Sequence, residues 1–146
     1  MKKILIMNGP NLNLLGIREP DVYGSMSLGD LNDYIRAEKE RRDYDAELEF
    51  FQSNHEGALI DKLHECYGVK DGIILNAGAY THYSYALRDA ISSVGIPCVE
   101  VHLSDIHARE AFRHVSVIQD VCLTQISGLG ADSYIKALEI LMEEKR

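Results

Sequence analysis

The amino-acid sequence predicts an α/β fold, a five-stranded parallel sheet covered by helices on both faces. Two observations carry this expectation. Five short β-rich runs alternate with segments of helical apolar spacing along the 146 residues. The third run, Gly-Ile-Ile-Leu at positions 72–75, is wholly apolar, as a strand buried on both faces must be. Strands separated by helices join as parallel neighbours in a doubly wound sheet.

The elements follow in order. Residues 3–7 form the first strand, and a long polar loop containing Gly9, Gly16 and Gly24 follows it. Ser27 caps a helix that runs to about residue 42, with Asp30 three positions on completing a capping box. Residues 47–52 make the second strand. Leu59, Ile60, Leu63, Cys66 and Tyr67 recur at helical spacing, so a helix covers roughly 56–67. After the third strand, Ala86, Leu87, Ala90, Ile91 and Val94 mark another helix, and residues 97–103 the fourth strand. A short helix is expected at 109–113 and a fifth strand at 121–126. Ile135, Leu138, Leu141 and Met142 line the last helix. No repeat, low-complexity stretch or linker interrupts the pattern, which reads as one domain over residues 1–146. The expected architecture is a flavodoxin-like three-layer sandwich with strand order 2-1-3-4-5.

Composition narrows the function. The net charge of −8 disfavours a nucleic-acid or anionic-membrane binder, since both partners demand a basic surface. A small anionic substrate would then need a locally positive pocket. The three cysteines, Cys66, Cys98 and Cys122, are scattered, odd in number and form no C-x-x-C pair. They suit reduced thiols in a cytoplasm better than a disulfide framework or zinc knuckle. The opening MKKILIMNGPN reads as a strand, because its apolar run spans only four residues and no small-residue cleavage site follows.

Open parallel sheets bind ligands beyond the carboxyl ends of their strands, near the point where strand order reverses. The polar motifs of this chain fall there: NGPNLN after strand one, QSNHEG after strand two, NAGAYTH after strand three and EVHLSDIHAR through the end of strand four. These loops deliver Asn8, Asn11, Asn54, Asn76, His82, His102 and Ser104 toward one crevice. The first loop lacks both G-x-G-x-x-G and G-x-x-x-x-G-K-[ST], which disfavours a nucleotide cradle. His102, His107 and His114 stand five and seven residues apart, unlike the i, i+4 pair of a helical zinc site. No G-x-S-x-G nucleophile elbow occurs. What remains is acid–base chemistry by Tyr, His, Arg and amide side chains, with no cofactor and no metal.

The motifs NGPNLNLLGIREPDVYG, QSNHEG, NAGAYTH, EVHLSDIHAREAFRHVS and ISGLG, in this order, resemble type II 3-dehydroquinate dehydratase from about Ile4 to Leu138. The resemblance implies a flavodoxin-like fold, a place in the shikimate (or quinate) pathway, and a homododecamer built as a tetramer of trimers. It implies that the base is the tyrosine of REPxxYG, Tyr23. A free tyrosine ionises near pH 10, and a guanidinium about 4 Å away supplies the roughly 3 kcal/mol that a two-unit fall requires. The family counterpart of that guanidinium is Arg18, and Arg113 adds to the field. His102 would be the general acid, with Glu100 on the same strand face orienting it. Asn11 would hold the water that stabilises the enolate oxygen. The resemblance further puts Asn76, Leu103 and Ser104 on the substrate carboxylate, the last two through backbone N–H groups. It puts His82 and Arg113 on the ring hydroxyls, and brings Asp89 from a neighbouring subunit. Residues 16–25, bounded by Gly16 and polar for a core, are expected to form a mobile lid.

The chain departs from the family pattern at Asp105, where Asn is common, at Tyr83 and Tyr85, and at Ala77. Plainer readings stand beside the functional ones. Tyr23 could pack on the surface, a strand-end histidine is often a satisfied core residue, and Arg109 could pair with Glu110 or Asp105. Two rival functions also stay open at this point: an anion-binding module without turnover, and a metal-dependent hydrolase using His102, His107 and His114.

Overall fold

The computed structural model describes residues 1–17 and 25–145. Arg18, Tyr23 and most of the expected lid therefore lie outside the described residues. Strands β1 (Lys2–Asn8), β2 (Ala46–Gln52), β3 (Gly72–Asn76), β4 (Cys98–His102) and β5 (Thr124–Ser127) form one sheet in the order β2-β1-β3-β4-β5. Every neighbouring pair is parallel. Both the class and the order agree with the sequence expectation.

Alternation along the strands assigns the two covering layers. Ile4 and Ile6 of β1, Ile74 of β3, and Val99 and Val101 of β4 pack on helices α1 (Leu28–Arg41) and α4 (Asp132–Glu143). Leu5, Met7, Ile73 and Leu75 face the other way, against α2 (Glu56–Cys66) and α3 (Tyr85–Val94). Side chains alternate faces with period two, so a central strand with a helix on each side has no polar face to spare. Helix α1 begins as expected: Ser27 Oγ accepts from Asp30 N–H at 3.0 Å and Asp30 Oδ2 accepts from Ser27 N–H at 3.1 Å. At the opposite edge, Lys2 Nζ donates to the final carbonyls of α4, to Leu141 O at 2.6 Å and to Glu144 O. That contact ties the first strand to the last helix and neutralises its negative end.

Several boundaries differ from the sequence expectation for local reasons. The short helix expected at 109–113 is instead two 3-10 turns, Ile106–Ala108 and Ala111–His114, separated by extended backbone at Arg109. Asp105 starts the first turn by accepting from His107 N–H at 2.9 Å. The fifth strand starts at Thr124 rather than residue 121, because Gln119–Val121 closes a 3-10 turn before the chain joins β4. Two further 3-10 turns, Leu12–Leu14 and Gly78–His82, occupy loops with no helical signature. Among the described residues no helix is long and apolar enough to cross a membrane.

Candidate active site

The carboxyl ends of β1, β3 and β4 open into one cleft. Among the described residues it is lined by Asn11, Asn76, His82, His102, Leu103 and Ser104, with Arg109 and Arg113 at its side. It is a narrow cleft that opens to solvent at its mouth. Two arginines and no carboxylate face it among the described residues. A chain of net charge −8 thus brings two guanidinium groups to the cleft, that of Arg113 ion-paired with Glu110.

The first loop reaches its position through close backbone contact. Gly9 N–H donates to Asn76 O at 2.7 Å, and a Cβ on Gly9 would sit 2.6 Å from the Ala77 carbonyl oxygen. Only glycine permits that approach. The loop then turns through Asn11, which adopts left-handed backbone at φ 68°, a conformation that Asn tolerates better than most residues. The second motif buttresses the first. Asn54 Oδ1 accepts from Asn11 N–H at 2.9 Å, and Gln52 Nε2 donates to Gly9 O at 3.1 Å.

Asn76, buried at the end of β3, is held from two sides. Its Oδ1 accepts from Gly78 N–H at 3.1 Å and its Nδ2 donates to the Tyr134 hydroxyl at 3.0 Å. Tyr134 in turn donates to Asn8 Oδ1 at 2.5 Å. One Nδ2 hydrogen of Asn76 is left for a ligand oxygen. Burial pushes the Tyr134 phenol well up from its ordinary value, against the hydrogen bond from Asn76.

His102, only 6% exposed, closes the floor of the cleft at the end of β4. Its Nε2 lies 2.5 Å from Glu100 Oε2. Glu100 is fully buried and accepts further bonds from Thr81 Oγ1 at 2.8 Å, Ser116 Oγ at 2.8 Å and Gln125 Nε2 at 3.1 Å. Burial alone pushes this carboxyl up, but the bonds and charge of His102, with those from Thr81 and Gln125, hold it below the ordinary value. Glu100 is therefore an anion, and an anionic acceptor makes His102 Nε2 a donor.

His82 stands across the cleft on the 3-10 turn after β3. Its Nδ1 lies 2.8 Å from Val115 O. A carbonyl can only accept, so Nδ1 carries the proton and Nε2 of the neutral ring is an acceptor. Burial pushes the imidazole below its ordinary value, and the nearby charges of His102 and Arg113 act in the same direction. Arg113 lies over the Phe112 ring at 4.7 Å and donates from Nε to Glu110 Oε2 at 2.8 Å.

The chain after His102 is pinned from one side. Ser133 Oγ donates to His102 O at 3.1 Å and Gly130 N–H donates to Leu103 O at 3.0 Å. In trans peptides the following N–H groups, those of Leu103 and Ser104, point the opposite way.

The structure thus brings together Asn11, Asn76, His82, His102, Leu103, Ser104 and Arg113, with Arg109 beside them. It does not bring Asp89 to the cleft of its own chain, since Asp89 lies exposed on α3. Arg18 and Tyr23 fall outside the described residues. Asp105 spends its carboxylate on the turn at His107 and does not line the cleft. Tyr83 and Tyr85 are exposed, and Ala77 is buried beneath Gly9. His107 and His114 are neighbours at 6.0 Å between ring centroids, yet among the described residues no three His, Cys, Asp or Glu side chains group as metal ligands.

Sequence reasoning missed Tyr134, Thr81, Ser116 and Gln125, whose polar atoms hold Asn76 and Glu100. Thr81 lies inside the NAGAYTH motif and was within reach. Tyr134 gave no signal, since its ring fits the apolar face of α4 and its hydroxyl finds partners only in the folded chain.

Comparison with known proteins finds relatives that match nearly the whole chain. A family model described as "Dehydroquinase class II" matches residues 2–142. The chain is 59% identical over 144 residues to the 3-dehydroquinate dehydratase of Caldicellulosiruptor bescii, covering 98% of each protein. It is 57% identical over 146 residues to that of Bacillus mycoides, covering 100% of this chain and 99% of the relative. The crystal structure of a type II dehydroquinase from Butyrivibrio crossotus superposes with a TM-score of 0.92 at 51% identity, covering 96% of this chain and 97% of that one. A type II dehydroquinase from Propionibacterium acnes gives 0.91 at 36% identity, over 99% and 98% of the two chains. With nearly its whole length matched in sequence and in fold, the chain belongs to the class II dehydroquinase family.

Proposed function

We propose that this chain is a hydro-lyase that removes water from 3-dehydroquinate to give 3-dehydroshikimate, in the shikimate (or quinate) pathway, by acid–base catalysis without a Schiff base or metal. Tyr23, as tyrosinate beside Arg18, takes a proton from the carbon next to the ketone. The electron pair of that C–H bond passes into an enolate, whose oxygen is stabilised by a water held at Asn11. Collapse of the enolate breaks the bond to the hydroxyl on the next carbon, and His102 protonates that oxygen as it leaves as water. The tyrosine proton then returns to His102, so the enzyme ends the cycle as it began.

The observation that carries this reading is the buried Glu100–His102 pair at the floor of an arginine-lined cleft, 2.5 Å between Oε2 and Nε2. The ionised carboxylate accepts a hydrogen bond from Nε2–H and stabilises the imidazolium, so Nδ1–H is the acid offered to the departing oxygen. Asn76 Nδ2 and the outward N–H groups of Leu103 and Ser104 would bind the substrate carboxylate. Neutral His82 would accept at Nε2 from a ring hydroxyl, and Arg113 would donate to another. Asp89, exposed on its own subunit, would complete the site of a neighbour within a dodecameric tetramer of trimers in the cytoplasm.

The test follows the ultraviolet absorbance of the conjugated product. The chain should form it from 3-dehydroquinate, and His102→Ala should lower turnover by about 10²–10⁴-fold. Borohydride added with substrate should leave the protein mass unchanged. A covalent lysine adduct, or a His102→Ala variant with native turnover, would overturn the mechanism.

A further inference from the structure

The Glu100 carboxylate is held unequally at its two oxygens. Oε2 accepts from His102, Thr81 and Gln125, and also from Ser116 at 2.8 Å. Oε1, among the described residues, has hydrogen-bond contact only with Ser116 Oγ, at 2.9 Å. A single hydroxyl therefore spans both oxygens, sharing its one proton between them, and sets the rotation of the carboxylate about its terminal torsion. That torsion is broad and roughly two-fold in carboxylates, so contacts to Oε2 alone leave the tilt of the group loosely fixed. The residues flanking Ser116 act on the same site. Val115 O accepts the hydrogen bond from His82 Nδ1–H, and Val117 N–H donates to Thr81 O at 2.8 Å. Ser116 Oγ itself accepts from Gln119 N–H at 3.2 Å, and its proton has nearer acceptors in the Glu100 oxygens, at 2.8 and 2.9 Å, than in Thr81 Oγ1 at 3.4 Å.

We propose that Ser116 is a positioning residue for the dehydration: by bridging both carboxylate oxygens of Glu100 it fixes the acceptor that aligns His102 as the acid. The proposal deepens the reading of His102 given above and rests on it. Ser116 does not line the cleft, so its effect falls on the chemical step and not on binding. The titratable groups that interact with this carboxylate, among the described residues, are His102 on its own strand, His82 across the cleft, itself facing Arg113, and the Cys98 thiol at the start of β4.

The test compares Ser116→Ala, Ser116→Thr and His102→Ala by steady-state kinetics across pH. Loss of a hydrogen bond to a charged group predicts a fall in kcat of about tenfold or more for Ser116→Ala. KM should stay within about twofold, because the substrate contacts are untouched. A loosened carboxylate stabilises the imidazolium less, so activity at the alkaline limb should be lost at lower pH than in the native enzyme. Ser116→Thr restores the hydroxyl and should recover most of kcat and the native limb. A Ser116→Ala kcat within about twofold of native, an unmoved limb, or no rescue by threonine would overturn the proposal. If Ser116→Ala fails to fold, Ser116→Cys keeps the shape with a weak donor and is judged by the same outcomes. His102→Ala separates the two readings: native turnover there would sink the acid assignment itself, whereas its collapse beside an unaffected Ser116→Ala would sink only this proposal.

Discussion

Tyr134 and Asn76, 58 residues apart, meet at 3.0 Å in a buried hydrogen bond that links helix α4 to the end of β3 beneath the cleft. The phenol in turn donates its hydrogen bond to Asn8 Oδ1 at the end of β1. Because burial pushes its ionisation well up, Tyr134 stays a neutral donor and acceptor across the working pH range. Tyr134→Phe would leave two buried amides short of a partner, at a cost of about 1–3 kcal/mol each way it is counted. Denaturant unfolding should show that loss. KM should rise more than kcat falls, since Asn76 is proposed to hold the substrate carboxylate. A variant with native stability and native KM would show that the Asn8–Tyr134–Asn76 chain holds nothing the site needs.

His82 gives the acid side of the pH profile a defined sign. Folding lowers its pKa, so between the folded and unfolded values the unfolded chain binds more protons. Its contribution to stability is complete above the ordinary imidazole value of 6.5 and declines as pH falls below it toward the lower folded value. Glu100 adds a second loss at lower pH: its stabilisation is present above the ordinary value of 4.5 and disappears as pH falls through the depressed folded value. Unfolding free energy measured from pH 8 downward should therefore begin to fall near 6.5. His82→Gln should remove that first decline, and a native pH slope in the variant would contradict the assignment.

Tyr23→Phe keeps the ring and deletes the proposed base. Turnover should fall by at least about 10²–10⁴-fold, with melting temperature nearly unchanged. Arg18→Gln should also lose activity heavily, and what remains should rise with pH toward the ordinary tyrosine range, near 10. Lysine at position 18 should restore only part of the rate, since an ammonium lacks the planar fork of a guanidinium. Retention of more than about a tenth of native turnover by Tyr23→Phe would assign the base elsewhere.

Asp89 tests the assembly. It is exposed on α3 and absent from its own chain's cleft, so Asp89→Ala should lower activity without loss of subunit stability. Mixed oligomers refolded from Asp89→Ala and Tyr23→Phe subunits should regain activity that neither has alone, because some sites then combine a native Tyr23 with a native Asp89. Light scattering should give a particle near twelve subunits. A fully active monomer, or mixtures no better than their parents, would remove Asp89 from the site.

Sequence alone determined the fold class and most of the cleft. Ile4 and Ile6 alternate with Leu5 and Met7, and residues 72–75 offer no polar face, which physics resolves only as a strand covered on both sides. Because ligands bind beyond the carboxyl ends of such strands, the motifs holding Asn11, Asn76, His82 and His102 could be assigned to one site before any coordinates. Short-range signals also served well where both partners lie close in the chain, as in the Ser27–Asp30 capping box. They failed where backbone hydrogen bonding inside a loop decides the conformation: residues 109–113 divide into turns because Asp105 caps the first and Arg109 extends between them. Only the tertiary structure decided which polar atoms hold the groups of the cleft. Tyr134 meets Asn8 across 126 residues, and Ser116 meets Glu100 across 16. Whether a hydroxyl faces water, an amide or a buried carboxylate depends on elements packed from distant parts of the chain, and local sequence periodicity carries no record of that packing.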